Sequence, residues 1–368
     1  MDRNPFEYTR PLRPGQGAAR VDLVDRLTLR VRERRLVALV GPRRYGKTTL
    51  LAQVSVAAAQ VDQLDIVFVD CFGVASVSDF AVRLERAMDS LTGSARKAVQ
   101  RLFARSGLEV SLLPGVGFKI SAGTAAAPDP VAVLHQLLDG LSRAADARDG
   151  LVLVLDEFQD VDRVDNIDSL LRSHLQHAHN IAVLFAGSRP SMLRAMFADQ
   201  AKPFYSQAEV IEVDPLDPDA AIELIDEGFA ATARDAGDAA PFIARKLEGH
   251  PQRIMLAAHI LWEGVPHGAT ASLDAATEAL EEAARRTRNE HTAMFTNMPR
   301  THRDTLRAIA AHGSPYSATA ARALGLKKPS AQTAVKALQA DGLVEHRAGG
   351  KWRIIDPLLA SWLREVGT

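Results

Sequence analysis

The chain has 368 residues, of which 47% are hydrophobic and 24% are charged, and its formal net charge is −1. This composition excludes an intrinsically disordered chain and is typical of a protein with two or three folded domains. The single cysteine, Cys71, excludes an intramolecular disulfide and favours a reducing, cytoplasmic location. The charged, proline-rich N-terminus has no apolar signal core, and no apolar run reaches membrane-spanning length, so we expect neither export nor membrane insertion.

A glycine-rich loop follows the first apolar run, "LVALV" at residues 36–40. Its sequence, "GPRRYGKTTLL" at residues 41–51, fits the phosphate-loop pattern GxxxxGK(S/T) between a strand and a helix. Successive backbone N–H groups in such a loop, with the positive end of the following helix, can surround a triphosphate. Lys47 is then expected to reach the β and γ phosphates, and the Thr48 hydroxyl to hold Mg²⁺. The residues predicted to bind the nucleotide here are Gly41, Pro42, Arg43, Arg44, Tyr45, Gly46, Lys47, Thr48 and Thr49.

A segment farther along the chain departs from this pattern. "LEVSLLPGVGFKIS" alternates apolar and polar residues around a Pro-Gly pair, which predicts a β-hairpin at about residues 108–121. Such an insertion could dock a partner, or it could be a surface decoration with no role of its own.

Two later strands end in polar residues that point to phosphate chemistry. "LVLVLDEFQDV" places Asp156 at the end of a buried strand, where it can hold Mg²⁺ through water, and Glu157 next to it, where a carboxylate can polarise the attacking water. The strand in "IAVLFAGSRP" ends in Ser188, which can sense the γ phosphate by hydrogen bonding or, alternatively, cap the next helix. Lys47, Asp156, Glu157 and Ser188 are therefore the predicted catalytic residues.

Five apolar runs, at residues 36–40, 64–71, 151–157, 181–188 and 209–213, are continuous rather than alternating. Continuous hydrophobicity indicates strands that are covered on both faces, as in a parallel sheet between helices. We therefore predict an α/β fold, a doubly wound parallel P-loop NTPase sheet, over residues 1–215 with an N-terminal arm over residues 1–22.

After residue 215 the predicted secondary structure changes twice. Helical periodicity over residues 216–298 predicts an all-α lid, and three short helices followed by two strands around a glycine turn predict a winged-helix domain over residues 299–368. From Asn297 onward there are 11 Lys/Arg against 5 Asp/Glu, so this end is basic while the rest of the chain is acidic. Contacts to duplex DNA or to a protein partner are expected from the third helix through Lys327, Lys328, Gln332, Thr333 and Lys336, and from the wing through Arg347, Lys351 and Arg353.

The motifs together resemble one known group. "GPRRYGKTTLL", "LVLVLDEFQDV", "FAGSRPSML", "PFYSQAEVIEVDPL" and "GHPQRIMLAA" look like the archaeal-type ATPase group, P-loop proteins close to the AAA+ and STAND classes. The likeness extends from "NPFEYTRPLRP" to "WRIIDPLLASWL" and implies ATP or ADP with Mg²⁺, a helical lid and a C-terminal winged helix. In related ATPases an arginine that reaches the γ phosphate often follows "GHP"; here Gln252 follows and Arg253 comes one place later. The resemblance thus assigns Pro251 and Arg253 to the nucleotide.

These features predict an ATP-binding, slowly hydrolysing switch ATPase that couples nucleotide state to a DNA- or protein-binding winged helix. Two alternatives remain open. The chain could be a DNA-binding regulator in which the nucleotide is structural, or an ATPase helper whose winged helix docks a protein partner. The sequence leaves the oligomeric state undecided.

Overall fold

The structure is a computed structural model, and it describes residues 3–12, 19–61, 63–105, 108–112, 118–122, 129–148, 150–347 and 350–366. The turn of the predicted hairpin, residues 113–117, lies outside the described residues.

The N-terminal part alternates helices and strands along the chain. Its elements are α1 (Val21–Arg32), β1 (Leu36–Val40), α2 (Lys47–Val61), β2 (Asp65–Asp70), α3 (Val77–Ala87), a 3₁₀ helix (Met88–Ser90), α4 (Gly93–Arg105), β3 (Leu108–Leu112), β4 (Phe118–Ala122), α5 (Pro130–Asp146), β5 (Leu151–Asp156), a second 3₁₀ helix (Phe158–Arg163), α6 (Ile167–Leu175), β6 (Ile181–Gly187), α7 (Pro190–Ala198) and β7 (Glu209–Glu212). The strands β3 and β4 pair antiparallel, with Leu108 opposite Ala122.

The five main strands form one parallel sheet in the order β2-β5-β6-β1-β7. Successive side chains of a strand point to opposite faces, and here both faces are covered. Leu151, Leu153 and Leu155 of β5 belong to the core under α3 to α7, whereas Val152 and Val154 belong to the core under α1 and α2. The predicted fold class is therefore confirmed.

The register of the sheet brings the carboxyl ends of three strands together. Val40 at the end of β1 lies beside Gly187 at the end of β6, and β6 pairs with β5, which ends at Asp156. The loop after β1, the Asp-Glu pair after β5 and Ser188 after β6 consequently meet at one edge, where ligands bind in open α/β sheets.

The next four helices form the part of the chain that we call the lid. They are α8 (Pro218–Ala230), α9 (Ala239–Lys246), α10 (Pro251–Gly264) and α11 (Leu273–Thr296). Their apolar faces share one core, which also contains Phe6 of the N-terminal arm at 2% exposure. The arm is thus packed against the lid.

The C-terminal part is a winged helix. It consists of α12 (Arg300–His312), α13 (Ala318–Leu324), α14 (Lys328–Ala340), β8 (Val344–His346), β9 (Trp352–Ile354) and α15 (Pro357–Val366), and β8 pairs antiparallel with β9. Ile355 joins the sheet core under α1 and α2, and Leu358 joins the lid core. The winged helix is therefore packed against both other parts of the chain.

Candidate nucleotide-binding site

The loop between β1 and α2 forms the centre of the site. Gly46 has a φ of +81°, in the left-handed region that glycine adopts without the steric cost of a Cβ. This turn ends directly at Lys47, where α2 begins. The first N–H groups of a helix have no partner within the helix, so the start of α2 offers donors and a positive dipole end to an anion in the loop.

Lys47 lies inside the loop. Its side chain is buried, and Nζ donates hydrogen bonds to the carbonyl oxygens of Gly41 at 2.8 Å and Pro42 at 2.7 Å. Burial lowers the pKa of Lys47 to about 8, although the carboxylates of Glu157 and Asp156 oppose the shift. A compact cation thus lies where the phosphate-loop motif requires one.

Thr48 and Asp156 form the second contact of the site. Thr48 Oγ1 donates to Asp156 Oδ2 at 2.8 Å. Burial raises the pKa of Asp156 above its ordinary value, against the effect of the hydrogen bond from Thr48, so a nearby cation would stabilise the carboxylate. A hydroxyl and a carboxylate oxygen are hard oxygen donors of the kind that Mg²⁺ prefers, and the pair therefore fits this ion.

Glu157 and Ser188 form the third contact. Glu157 has a left-handed backbone, with φ 52° and ψ 38°, and its Oε2 accepts hydrogen bonds from Ser188 Oγ at 2.7 Å and Ser188 N at 3.2 Å. Arg43 Nε in turn donates to Ser188 Oγ at 3.3 Å. A carboxylate, a hydroxyl and a guanidinium from three different loops are thereby joined in one chain of hydrogen bonds.

A cavity of about 310 Å³ lies over the loop, and its outer wall comes from the N-terminal arm and the lid. The arm is tied to the helix of the phosphate loop, because Leu12 N donates to Thr49 Oγ1 at 3.2 Å, and to the lid, because Gln252 Nε2 donates to the carbonyl oxygen of Tyr8 at 3.3 Å. Pro251 and the loop residues Arg43 to Thr49, which are predicted from the sequence to bind the nucleotide, line the cavity, whereas most of its outer wall was not predicted. The missed lining residues include Tyr8, Leu12, Arg20, Leu216, Gln252 and Met255.

Two residues of the loop also contact other parts of the chain. Arg44, with a φ of 66°, forms an ion pair with Glu290 of α11. Tyr45 is buried; its ring lies edge-on to His250 at a centroid distance of 5.1 Å, and it shares a core with Ile355 of the winged helix. The predicted phosphate loop is therefore in contact with the lid and the winged helix.

The structure places Arg253 away from the cavity. Arg253 Nε donates to Asp356 Oδ2 at 3.0 Å, and Nη2 donates to the same oxygen. Among the residues that the structure describes, the cavity lining contains Pro251 and Gln252 but not Arg253. Because helical neighbours point about 100° apart, the shift of one position turns Arg253 from the nucleotide side of α10 to the winged-helix side.

The residues predicted on the third helix of the winged helix share an exposed surface. Lys327 precedes α14, and four more follow within its first nine residues. All five are exposed: Lys327, Lys328, Gln332, Thr333 and Lys336. This basic face is open to a polyanion.

The wing residues have a different environment. Glu248, in the turn between α9 and α10, accepts hydrogen bonds on Oε2 from Arg347 Nη2 at 2.9 Å and from Arg353 Nη1 at 2.8 Å, and Arg353 also binds Glu345. Lys351 is exposed. Two of the three predicted wing cations thus bind the lid in this structure, and their contact with a partner stays a prediction.

No helix in the described ranges is both long and apolar enough to cross a membrane. No group of three or more His, Cys, Asp or Glu side chains with the arrangement of a metal site occurs among the same residues.

Comparison with family models identifies two regions of the chain. Residues 30–197 match the model of the AAA domain, and residues 296–351 match the model of the MarR family. The chain thus contains an AAA-type ATPase domain followed by a MarR-type winged helix. No match was found among curated protein sequences.

Several solved structures share this architecture over nearly the whole chain. A Walker-type ATPase of Pyrococcus abyssi is 18% identical, with a TM-score of 0.73 over 98% of this chain and 99% of its own. The ORC2 protein of Aeropyrum pernix, in ADPNP-ADP complexes, is 18% identical, with a TM-score of 0.62 over 100% of this chain and 96% of its own. Cdc6p of Pyrobaculum aerophilum is 14% identical, with a TM-score of 0.51 over 100% and 99%. These likenesses support the fold from the arm to the winged helix.

Proposed function

We propose that this protein is an ATP-binding and slowly ATP-hydrolysing switch ATPase in which the state of the nucleotide controls the winged helix. One observation carries the proposal. The Thr48–Asp156 contact of 2.8 Å and the Ser188–Glu157 contact of 2.7 Å lie at the same strand ends as Lys47, beside one cavity. This set contains the cation, the metal ligands and the carboxylate that phosphoryl transfer to water requires.

Each side chain then has a distinct task. Lys47 and the backbone N–H groups of the phosphate loop other than Pro42 bind the phosphates, while Thr48 and Asp156 would hold Mg²⁺. Mg²⁺ would neutralise charge on the β and γ phosphates. Glu157 orients the attacking water and accepts its proton, and Ser188 reports the presence of the γ phosphate through its bond to Glu157.

The nucleoside part of ATP fits the outer wall of the cavity. Tyr8, Leu12 and Met255 supply apolar surface there, and Arg20 adds a cation whose Nη2 also donates to the carbonyl oxygen of Asp214. The ADPNP-ADP complexes of the Aeropyrum pernix ORC2 protein, which has the same fold, support an adenine nucleotide as the ligand.

Coupling to the winged helix rests on direct contacts. A Cβ at Gly342, just beyond α14, would lie 3.3 Å from the carbonyl oxygen of Ser188 and 3.9 Å from Pro42 Cα. Ser191 Oγ also donates to the carbonyl oxygen of Gln339 at 3.3 Å. A movement of the phosphate loop or of Ser188 would therefore shift the helix that carries the basic face.

Turnover tests the catalytic assignment. Glu157→Gln should keep the affinity for ATP and lose most hydrolysis, whereas Lys47→Ala should lose affinity. Glu278→Gln, which neutralises an exposed carboxylate on α11 outside the cavity lining of the described structure, is the matched control and should behave as wild type. Unchanged turnover in Glu157→Gln would remove Glu157 from the reaction.

Duplex DNA is the partner that the exposed basic face of α14 favours, and a protein partner is the alternative. We would measure binding of a labelled duplex near physiological salt in ATP and in ADP. The variants are Lys47→Ala and a triple alanine substitution at Lys327, Lys328 and Lys336. Nucleotide-dependent affinity in wild type alone, weakened by the triple substitution, supports an ATP-gated DNA switch.

Other outcomes of the same experiment point elsewhere. Equal DNA affinity in every nucleotide state supports a DNA-binding regulator with structural nucleotide. If DNA does not bind in any nucleotide state, the basic face of α14 serves a protein partner instead.

A further inference from the structure

Gln159 contacts the proposed catalytic carboxylate directly. It lies two residues beyond Glu157 in the 3₁₀ helix Phe158–Arg163, and its side chain is 1% exposed. Gln159 Nε2 donates to Glu157 Oε2 at 2.6 Å. Together with Ser188 N and Ser188 Oγ, it supplies the third hydrogen bond to that one carboxylate oxygen.

The neighbouring strand leaves room for this amide. A Cβ built on Gly187 would lie 2.1 Å from Gln159 Oε1 and 3.2 Å from Gln159 Cδ, both closer than ordinary contact. Gly187 is the last residue of β6 and directly precedes Ser188. A glycine is thus required at this position for close approach of the amide.

The backbone around Gln159 is fixed by its neighbours. Phe158 packs against Phe185 at a centroid distance of 4.6 Å and against Phe204 at 5.8 Å. Asp160 Oδ2 accepts a hydrogen bond from Gly73 N at 2.8 Å. The amide is therefore held by residues on both sides in the chain and has little freedom to leave Glu157.

The amide of Gln159 also leaves one polar atom without a hydrogen bond, which a side chain needed only for packing would not do. Gln159 Oε1 is buried and finds no hydrogen-bond donor within the described part of the chain. A leucine or methionine of similar size would fill the same space without an unsatisfied acceptor. The presence of an amide is explained by its NH₂ group, which binds Glu157.

We propose that Gln159 is a positioning residue for Glu157, an inference that rests on the proposed function. By holding Oε2 with Ser188, Gln159 fixes the carboxylate so that its second oxygen, Oε1, accepts the hydrogen bond of the attacking water. In that step the water oxygen forms a bond to the γ phosphorus. The bond from that phosphorus to the bridging oxygen breaks, its electron pair stays on ADP, and the water proton passes to Glu157.

The test is Gln159→Leu, which removes the donor and the unsatisfied acceptor together while keeping the volume. Single-turnover and steady-state hydrolysis, the dissociation constants of ATP and ADP, and the melting temperature are measured on the full chain. We expect kcat to fall about tenfold to hundredfold, the loss typical of one hydrogen bond to a charged group, with nucleotide affinity and melting temperature unchanged.

Two further variants separate positioning from packing. Gln136→Leu is the matched control, because Gln136 on α5 also has a buried Oε1 without a described donor, but it does not line the cavity. Gly187→Ala pushes the amide away without changing Gln159. Gly187→Ala should lower kcat much less in the Gln159→Leu variant than in wild type, because the hydrogen bond between residue 159 and Glu157 is already absent there.

The outcomes distinguish this inference from the function on which it rests. If Glu157→Gln abolishes hydrolysis and Gln159→Leu leaves kcat unchanged, the ATPase assignment stands and the positioning role is wrong. If kcat, affinity and melting temperature fall together beyond the Gln136→Leu control, Gln159 is structural. If the wild-type protein does not hydrolyse ATP, the proposed function is wrong and the positioning role of Gln159 is wrong with it.

Discussion

The carboxylate of Asp356 in the winged helix binds the guanidinium of Arg253 in the lid, with Arg253 Nε 3.0 Å from Asp356 Oδ2. His291 Nε2 of α11 lies 3.4 Å from the same oxygen. Burial alone would raise the pKa of Asp356, but the hydrogen bond from His291 and the charge of Arg253 outweigh it and hold this pKa well below its usual range. The winged helix and the lid are thus joined by an ion pair between the buried Arg253 and the partly buried Asp356.

Breaking this pair should destabilise the protein strongly. Asp356→Asn removes the carboxylate that binds Arg253 through both Nε and Nη2 and leaves this buried charge with the more distant carboxylate of Glu290, 3.9 Å from Nη2. We expect a loss of about 3 kcal/mol in the free energy of unfolding, the lower end of the range for a broken buried pair. Urea denaturation followed by circular dichroism measures it. Glu365→Gln is the control, because Glu365 pairs with Arg288 at 3.5 Å on the surface, where ion pairs contribute little. Equal losses of unfolding free energy in the two variants would show that the burial of Arg253 does not strengthen the contribution of its ion pair.

The same pair predicts a dependence on pH. The pKa of Asp356 is lower in the folded chain than in the unfolded chain, where it is about 3.9. Its stabilising contribution is therefore complete well above that value and declines as the pH falls. The difference in unfolding free energy between wild type and Asp356→Asn should be constant above about pH 5 and smaller at pH 3. A difference that stays constant down to pH 3 would rule out this linkage.

The fold was predictable from sequence because its signals are local. The apolar run at residues 36–40 coincides with β1, and the end of the run at residues 181–188 gives Ser188 its position after β6. The phosphate loop and the pair Asp156-Glu157 were found in the same way. Burial on both faces of a parallel strand produces a continuous apolar run, and a strand-loop-helix transition has a fixed residue pattern.

The contacts between the parts of the chain were not predictable in this way. Arg253 and Asp356 are 103 residues apart, and the Arg353–Glu248 contact spans 105. No periodicity or motif relates such positions, so the partner that satisfies a charge is seen only once the chain is folded. The arm has the same limitation: Tyr8 and Leu12 line the cavity through long-range packing with α10 and α2.

The depressed pKa of Lys47 predicts that nucleotide binding depends on pH. A free-protein value of about 8 means that the ammonium, the form that attracts phosphate, is lost as the pH rises above 8. Bound triphosphate favours the charged form, so binding at pH 8.5 to 9 should take up a proton and become weaker with rising pH. Isothermal titration calorimetry in two buffers with different ionisation enthalpies measures this uptake. Lys47→Met should bind weakly at every pH and show no such proton uptake.

Glu248 should restrain the wing. It binds Arg347 and Arg353, and neutralising it by Glu248→Gln should make the exposed Arg347 available to a polyanion, while Arg353 keeps its bond to Glu345. If the winged helix binds DNA, we expect tighter duplex binding and a slope of log affinity against log salt that is steeper by about 1, since each added phosphate contact contributes about 0.9. Glu278→Gln, an exposed lid carboxylate on α11, is the control. An unchanged salt slope would show that Arg347 stays away from the DNA.

The N-terminal arm should retain the nucleotide by joining the lid to the phosphate loop. Phe6 holds the arm in place. Its ring centroid lies 5.5 Å from that of Phe229, and its carbonyl oxygen accepts a hydrogen bond from His259 Nδ1 at 2.8 Å. Phe6→Ala removes a buried aromatic ring, a change that typically costs about 3–5 kcal/mol in a core. The arm should then detach more often and take Tyr8 and Leu12 away from the cavity wall.

We therefore expect a labelled ADP analogue to dissociate at least several times faster from Phe6→Ala in a stopped-flow displacement experiment. Ile243→Ala truncates a fully buried side chain of the same lid core and controls for loss of lid stability. Because Ile243 is absent from the cavity lining in the described structure, its variant should lose melting temperature with little change in the dissociation rate. Equal acceleration in both variants would mean that lid stability, rather than the arm, retains the nucleotide.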